Sequence, residues 1–135
     1  MAQAIGPVLV VDDDQDSRAF LAVILEMLGI KVLTATDGEE ALAIARLHRP
    51  CLILLDVMMP GMDGFSFRET QLKTAELADI PVILVSAFPD QAQIQQRLGP
   101  IRVVPKPVEI DQLIAQVLTL CNPSAGGYGV RPNAC

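Results

Sequence analysis

The sequence predicts a doubly wound α/β domain, in which helices cover both faces of a parallel β-sheet. Strand-like and helix-like segments alternate five times along the chain, which is typical of this fold class. The strand-like segments are short and apolar throughout, as strands buried on both faces are. With 135 residues, of which 51% are hydrophobic, the chain suits a single domain with a substantial core.

Hydrophobic periodicity and turn residues assign the elements in order. The strands are predicted at residues 8–11, 30–34, 51–55, 81–85 and 101–104. The helices are predicted at residues 15–28, 37–48, 65–74, 90–98 and 109–120. Gly29 supplies a helix stop, and Asp37 with Glu40 three positions later resembles a capping box. We expect one domain over residues 1–121 and a flexible tail, rich in Gly, Pro and Asn, over residues 122–135.

The charge and hydropathy of the chain exclude some classes of function. Ten basic and sixteen acidic residues give a formal net charge of −6, and the basic residues do not cluster as a nucleic-acid surface requires. No apolar run approaches the roughly 20 residues of a membrane span. Asp12 interrupts the early apolar run that a secretory signal would need. The sequence therefore predicts a cytoplasmic protein that binds neither nucleic acid nor membrane.

The three cysteines are Cys51, Cys121 and Cys135. Their number is odd, they are widely spaced, and only His48 offers a possible companion for metal binding. We therefore expect free thiols in a reducing compartment, not a disulfide or a zinc site.

Polar side chains follow four of the five predicted strands. Asp12 and Asp13 follow the first strand, and Asp56 follows the third. Ser86 follows the fourth, and Lys106 comes two residues after the fifth. In doubly wound sheets, ligands bind outside the carboxyl ends of the strands. Three carboxylates, a hydroxyl and an ammonium group are therefore expected to meet at one edge of the sheet.

Such a cluster of carboxylates needs a balancing charge. Two carboxylates ~4 Å apart repel each other by about 4 kcal/mol at an effective dielectric constant near ~20. Oxygen ligands favour a hard cation, and Mg²⁺ suits a site of a few carboxylates that also receives a phosphate. An Asp in such a site can act as a nucleophile, because aspartyl-phosphate is a known covalent intermediate. The sequence thus favours phosphoryl chemistry at this edge.

Four segments of the chain resemble the receiver domain of two-component response regulators. They are "VLVVDDDQDSR", "LILLDVMMPGMDG", "PVILVSA" and "VVPKP", in this order, each at the end of a predicted strand. The resemblance covers about residues 6–121. It implies a flavodoxin-like (βα)5 sandwich with the strand order 2-1-3-4-5, and a phosphoacceptor that is not a classical enzyme but assists its own phosphorylation and dephosphorylation.

The resemblance also implies roles for particular residues. Asp56 would accept a phosphoryl group from a histidine kinase or a phosphotransfer protein. Ser86 would be the switching hydroxyl and Lys106 the phosphate-binding lysine, with a cis bond between Lys106 and Pro107. Mg²⁺ would be held by Asp12, Asp13, Asp56 and the backbone carbonyl of Met58. The chain would act as a stand-alone receiver domain that signals to a protein target through surface contacts.

Other interpretations of the acidic run stay open. Asp12, Asp14 and Asp16 imitate the first ligands of a calcium loop, but Ser17 stands where glycine is needed. Asp12 and Asp14 would also fit a small phosphohydrolase with an aspartate nucleophile. A cluster that serves only the start of the first helix is the simplest structural interpretation, and we assign Asp14 and Asp16 to that role. A receiver fold that serves as an interaction module, with reduced phosphorylation-dependent switching, is the remaining alternative.

Two departures from the family pattern concern signal output. Val103 occupies the position of a switching Tyr or Phe, so the usual coupling is in doubt. Ser86 and Lys106 are 20 positions apart, which predicts a short fourth helix. Met58 and Phe88 would flank the approach of water to the phosphorylated residue, and because both are apolar we expect slow self-dephosphorylation.

The first helix departs from the pattern as well. It is apolar on nearly every side, because Ala19, Ala22, Val23 and Met27 occupy positions that are commonly charged in the family. An exposed apolar strip of this kind suggests a partner surface. Our hypothesis is that a helix of the kinase or phosphotransfer protein docks there; the alternative is that the tail folds back over it.

Overall fold

The computed structural model describes residues 5–59, 61–87 and 90–121, and it contains the alternating strands and helices that the sequence predicts. The strands are β1 (Ile5–Val11), β2 (Ile30–Ala35), β3 (Leu52–Asp56), β4 (Val82–Ser86) and β5 (Arg102–Pro105). The helices are α1 (Gln15–Met27), α2 (Gly38–His48), α3 (Gly64–Lys73), α4 (Gln91–Leu98) and α5 (Ile110–Cys121).

All five strands are parallel and lie in the order β2-β1-β3-β4-β5, so the predicted fold class and strand order are confirmed. The order reverses beside β1, and the crevice between the carboxyl ends of β1 and β3 is the switch point where doubly wound sheets bind ligands. One apolar cluster joins α1 and α5 to one face of the sheet. A second cluster joins α2, α3 and α4 to the other face. The central strands β3 and β4 are buried at every position.

The strands β3 and β4 end one residue later than predicted, on the polar residues themselves. Asp56 pairs with Val85, and Ser86 pairs with Pro105, in the parallel ladders. The ladder continues beyond the sheet, because the backbone N–H of Lys106 donates to the carbonyl of Ser86 at 2.8 Å. The polar residues are therefore held by strand pairing and not by a loop, which fixes their backbone positions.

Each of the first four helices begins with an aspartate that caps its N-terminus. Asp14, Asp37, Asp63 and Asp90 each accept a hydrogen bond from the backbone N–H three residues later. This arrangement satisfies donors that an α-helix leaves unpaired at its start. The expected capping box at Asp37 forms in part. The Glu40 N–H donates to the Asp37 carboxylate, but the Glu40 carboxylate accepts hydrogen bonds from the N–H and the hydroxyl of Thr36 and not from the N–H of Asp37.

The prediction that the cysteines are free thiols is wrong for two of them. Cys51, just before β3, and Cys121, the last residue of α5, form a disulfide across 70 positions of sequence. The two cysteines are far apart along the chain, whereas the fold brings the end of α5 against the start of the central strand β3. Cys135 and the rest of the predicted tail, 122–135, lie outside the described residues. The predicted domain boundary after residue 121 therefore stays a prediction.

Side-chain contacts join α3 to α4 and to the segment that follows α3. The Arg97 guanidinium of α4 lies 4.4 Å from the ring centroid of Phe65 and 3.3 Å from a carboxylate oxygen of Glu69, both in α3. Gln71 of α3 is fully buried, and its amide donates to the carbonyls of Leu77 and Ile80 at 2.8 and 2.9 Å.

Among the described residues, no helix has the length and apolar character needed to cross a membrane.

Candidate functional site

Three carboxylates meet at the switch point of the sheet, as the sequence predicts. Asp12 and Asp13 follow β1, Asp56 ends β3, and each offers an oxygen that lies within 4.8 Å of the other two. Asp12 and Asp56 are buried, whereas Asp13 is exposed to solvent. Buried carboxylates so close together are costly unless a cation or a proton is shared among them. The oxygen donor set and its spacing fit a small hard cation such as Mg²⁺.

Asp12 is held in place through both its backbone and its side chain. Its N–H donates to the carbonyl of Ala35 at 3.1 Å, and its Oδ1 accepts from the N–H of Asp14 at 2.9 Å. The Arg18 guanidinium donates to the Asp12 carbonyl at 2.8 Å. Arg18 is not among the site residues predicted from the sequence. Its place one turn after the capping Asp14 is the only signal that could have suggested this contact.

Asp14 and Asp16 serve the start of α1, as expected. Asp14 is the N-cap, and its carboxylate accepts from the Ser17 N–H at 2.8 Å. That hydrogen bond lowers the pKa of the Asp14 carboxyl below its usual value. Asp16 lies in the first turn of the helix, where negative charge is favourable. Because the Asp14 carboxylate caps α1, the carboxylate of Asp56, and not that of Asp14, lies in one cluster with Asp12. This arrangement disfavours the calcium-loop and the phosphohydrolase interpretations, which both combine Asp12 with Asp14.

Lys106 brings its ammonium group to the same cluster. Its Nζ lies 3.3 Å from Oδ2 of Asp12 and 3.7 Å from Oδ1 of Asp56. The Lys106–Pro107 peptide bond is cis, as the sequence analysis expected. The ammonium group therefore lies between two buried carboxylates and near any anion that binds to them.

The pKa of Asp56 is raised to about 6. Burial of the carboxyl is the largest cause, and the nearby charge of Asp12 adds to it. Lys106 and a hydrogen bond from the Met58 N–H, at 3.3 Å from Oδ1, oppose the rise. Asp56 is thus ionised near neutral pH, yet less stable as an anion than an exposed aspartate.

Gly64, the first residue of α3, closes the loop that follows Asp56. A Cβ atom at this position would lie 2.7 Å from the Asp56 carbonyl oxygen and 2.8 Å from the Val57 Cα. The Gly64 N–H donates to the Val57 carbonyl at 3.0 Å. The start of α3 therefore packs directly on the backbone of the central aspartate, which only glycine permits.

The structure also describes three other predicted residues, Ser86, Met58 and Val103. Ser86 ends the neighbouring strand β4 and is 3% exposed. The Met58 side chain is 72% exposed, whereas Phe88 lies outside the described residues. Val103 in β5 is partly buried and packs against the apolar cluster shared with α2, α3 and α4.

An exposed apolar surface adjoins the acidic cluster along α1. Val23 and Met27 of the predicted apolar strip are 53% and 80% exposed, and Phe20, which the prediction did not include, is 49% exposed and belongs to the same surface. Towards the acidic cluster the strip meets a groove of about 380 Å³ between Phe20 and Leu21 of α1 and residues 106–108. The groove thus connects the apolar strip directly with Lys106.

Comparisons with known proteins agree with this geometry. The family model of the response regulator receiver domain matches residues 8–118. The chain is 41% identical over 115 residues to a probable transcriptional regulator ycf27 of Cyanophora paradoxa, covering 84% of this chain and 47% of that protein. It is 33% identical over 112 residues to the protein PilH of Pseudomonas aeruginosa, covering 82% of this chain and 93% of that protein. The chain therefore spans about half the length of the ycf27 regulator but nearly all of PilH.

Solved structures show the same likeness. The chemotaxis protein CheY4 of Vibrio cholerae matches with a TM-score of 0.78 and 30% identity, covering 88% of this chain and 99% of that one. The receiver domain of a signal transduction histidine kinase from Syntrophus aciditrophicus matches with a TM-score of 0.79 and 30% identity, covering 89% and 92%.

Proposed function

Because the chain belongs to the response regulator receiver domain family of two-component systems, we propose that it accepts a phosphoryl group on Asp56 from a histidine kinase or a histidine phosphotransfer protein. The observation that carries this proposal is the position of Asp56. Its carboxylate ends the central strand at the switch point, beside Asp12, Asp13 and the Lys106 ammonium. A nucleophile, a cation site and a positive charge for phosphate oxygens are thus present in one cluster.

Mg²⁺ is the cofactor that these residues suit. Asp12, Asp13, Asp56 and the backbone carbonyl of Met58 would hold it, and when bound it would offset charge on the transferred phosphoryl group. The donor set consists of oxygens alone, and Asp13 is exposed, which leaves room for the waters that Mg²⁺ retains.

The chain's own residues would carry out the transfer. A carboxylate oxygen of Asp56 attacks the phosphorus of a phosphohistidine, the P–N bond breaks, and the electron pair returns to the imidazole. Lys106 would move its hydrogen bond from Asp12 to a phosphoryl oxygen and stabilise the developing charge. Ser86 would donate its hydroxyl hydrogen to another phosphoryl oxygen. The apolar Met58 side chain would hinder water, so that the phosphorylated Asp56 is hydrolysed slowly.

The partner would dock beside the acidic cluster in the cytoplasm. The strip of Phe20, Val23 and Met27 on α1 provides an apolar face for a helix of the kinase or phosphotransfer protein. The strip leads into the groove at Lys106, so a helix lying on it would bring its histidine to Asp56. Output would pass through protein contacts to a target protein.

The test is mass spectrometry of the chain after incubation with acetyl phosphate and Mg²⁺. We expect the mass of one phosphoryl group, located at Asp56, and its loss in Asp56→Asn or when EDTA removes the metal. Asp14→Asn is the matched control, because its carboxylate caps α1, and it should still be labelled. Label on Asp12, or label that persists in Asp56→Asn, would refute the proposal.

A second candidate is an interaction module with reduced phosphorylation-dependent switching. Val103 favours it, because a small β-branched side chain packed in the core cannot exchange between buried and exposed positions as an aromatic ring does. Hydrogen exchange separates the two candidates. A switch should alter amide exchange in α4 and β5 after phosphorylation, whereas the module should show labelled Asp56 and unchanged exchange there.

A further inference from the structure

We propose that Cys51 and Cys121 form a reversible redox site, which reacts with small thiols and disulfides and whose reduction loosens the end of α5 while the fold persists. The site lies at the end of the sheet opposite Asp56, because Cys51 precedes β3 and Asp56 ends it. The disulfide closes a loop that spans 70 positions and contains Asp56, Ser86 and Lys106.

The surroundings of the two sulfur atoms allow the domain to stay folded in both redox states. Cys121 is 6% exposed and belongs to the apolar cluster that includes Leu113 and Val117 of α5, and Cys51 packs against the same cluster. A reduced cysteine in such a place behaves as a small apolar residue. The Cα atoms of the pair are 5.6 Å apart, within the usual range for a disulfide, so the bond can form again without backbone movement.

Access to the bond is asymmetric. Cys51 is partly exposed, whereas Cys121 is buried. A small thiolate would therefore attack Sγ of Cys51, which forms a mixed disulfide and breaks the bond to Cys121, whose sulfur leaves as a thiolate. A second small thiolate attacks the outer sulfur of the mixed disulfide, releases a small-molecule disulfide and frees the Cys51 thiolate. Both protein thiolates then take up protons, and the reverse sequence restores the bond.

The disulfide joins the last residue of α5 to the residue before β3. Its last turn contains no Lys, Arg or His, so the helix lacks the cationic residues that favour a C-terminus. The Thr119 hydroxyl donates back to the Ala115 carbonyl within the helix and adds no link to the sheet. Breaking the disulfide therefore removes the covalent link between the last turn of α5 and the start of β3.

The compartment that we propose for the protein favours a reactive disulfide over a purely structural one. Disulfides in reducing compartments are usually transient, whereas secreted proteins use them to stabilise the fold. This step rests on the proposed function, which places the chain in the cytoplasm with its kinase. The test below uses no phosphodonor, so its failure and that of the phosphoacceptor proposal are distinguishable.

The experiment counts reactive thiols in the native Cys135→Ser chain, in which only the proposed pair remains. After equilibration with oxidised glutathione, we expect no label from a maleimide. After equilibration with reduced glutathione, we expect two labels, at Cys51 and at Cys121, whose thiol becomes accessible when the end of α5 loosens. Re-oxidation before the maleimide is added should abolish both labels. If the substitution impairs folding, the same measurement on the full chain with peptide mapping reads the two positions directly.

Hydrogen exchange on the same samples tests the second part of the proposal. Amides of residues 118–121 should exchange faster in the reduced state, while those of α2, on the opposite face of the sheet, should not change. Two labels in the oxidised native chain would overturn the proposal. It would also be overturned if the bond were reduced only in denaturant that unfolds the chain, or if α5 exchanged equally in both states.

Discussion

Asp56 lies where burial and the charge of Asp12 favour a neutral carboxyl, while the Lys106 ammonium favours an anion. Burial dominates, and the pKa of about 6 lies above the usual value of 3.8. The folded state therefore binds this proton more tightly than the unfolded state does. The stability that results is fully present below pH 3.8 and is lost as the pH rises through about 6.

Asp56→Asn should therefore stabilise the metal-free domain above pH 6, because the amide needs no ionisation. We expect a gain of about 1–2 kcal/mol near pH ~7.5 relative to the wild type, and a smaller one near pH ~4.5, after allowance for solvent screening and for Lys106. Denaturant midpoints in EDTA at the two pH values measure it. Asp79→Asn, on an exposed residue, is the control. An equal gain at both pH values would contradict the assigned cause.

At the residue scale, the sequence predicted the convergence of the charged groups but not their local support. Asp12, Asp56 and Lys106 could be predicted because strand ends in a parallel sheet meet at one edge. Arg18 and Gln71 could not, because each serves a backbone carbonyl whose position depends on the folded loop. The local sequence around Gln71 does not distinguish a fully buried amide side chain from an exposed one.

At the scale of elements, the start of α3 should be the least tolerant glycine position. Gly64→Ala places a Cβ against backbone atoms of Asp56 and Val57, which cannot move aside without disturbing β3. We expect a loss of about 2 kcal/mol or more, since overpacking costs ~1–3 kcal/mol where side chains can adjust. The unfolding midpoint measures it.

Gly38→Ala, at the start of α2, is the matched control for that substitution. The atoms nearest to a Cβ there are Cγ, Sδ and Cβ of Met62, at 2.7, 2.8 and 3.0 Å, and rotation of this flexible side chain can relieve the two closest contacts. Its loss of stability should be clearly smaller. Equal losses at the two glycines would show that backbone contact is not the deciding factor.

The apolar strip on α1 makes a prediction about phosphotransfer. Val23→Glu with Met27→Glu should slow transfer from a kinase that phosphorylates the wild type by roughly tenfold or more, the effect of removing a strong contact from an interface. Both side chains are exposed, so folding and labelling by acetyl phosphate should be unchanged. Leu47→Glu, on the 76% exposed residue of α2, is the control. An unaltered transfer rate would rule out docking on this helix.

Element types and order followed from periodicity, whereas element ends did not. The predicted strands stopped at Leu55 and Val85 because a polar residue usually marks the end of an apolar strand. In the fold, the ladder with β4 and β5 extends pairing to Asp56 and Ser86. Pairing partners across a sheet decide such ends, and they are not visible in one strand's sequence.

At the scale of the whole molecule, the disulfide should contribute to global stability. Cys51→Ala removes a cross-link that closes a loop across 70 positions. Cross-links of this length typically contribute about 2–4 kcal/mol, chiefly by restricting the unfolded chain. Guanidinium unfolding of the oxidised protein measures the loss, and Cys135→Ser provides the control. Equal midpoints for Cys51→Ala and the wild type would show that the bond does not form in solution.

The disulfide was also the feature that the sequence concealed most completely. Cysteine counting works for short secreted chains with paired spacings, and three separated cysteines give no such pattern. The packing of α5 on the sheet brings the end of this helix to the start of β3, and this packing is a property of the fold.

The disulfide between Cys51 and Cys121 determines whether the fragments of a proteolytically cleaved chain separate. If a single peptide bond is cut anywhere between Cys51 and Cys121, the two fragments stay covalently joined through sulfur. Such a nicked molecule would run as one band on a non-reducing gel and separate into two only after dithiothreitol. A cut before Cys51, for instance after Lys31, would instead release a fragment under either condition.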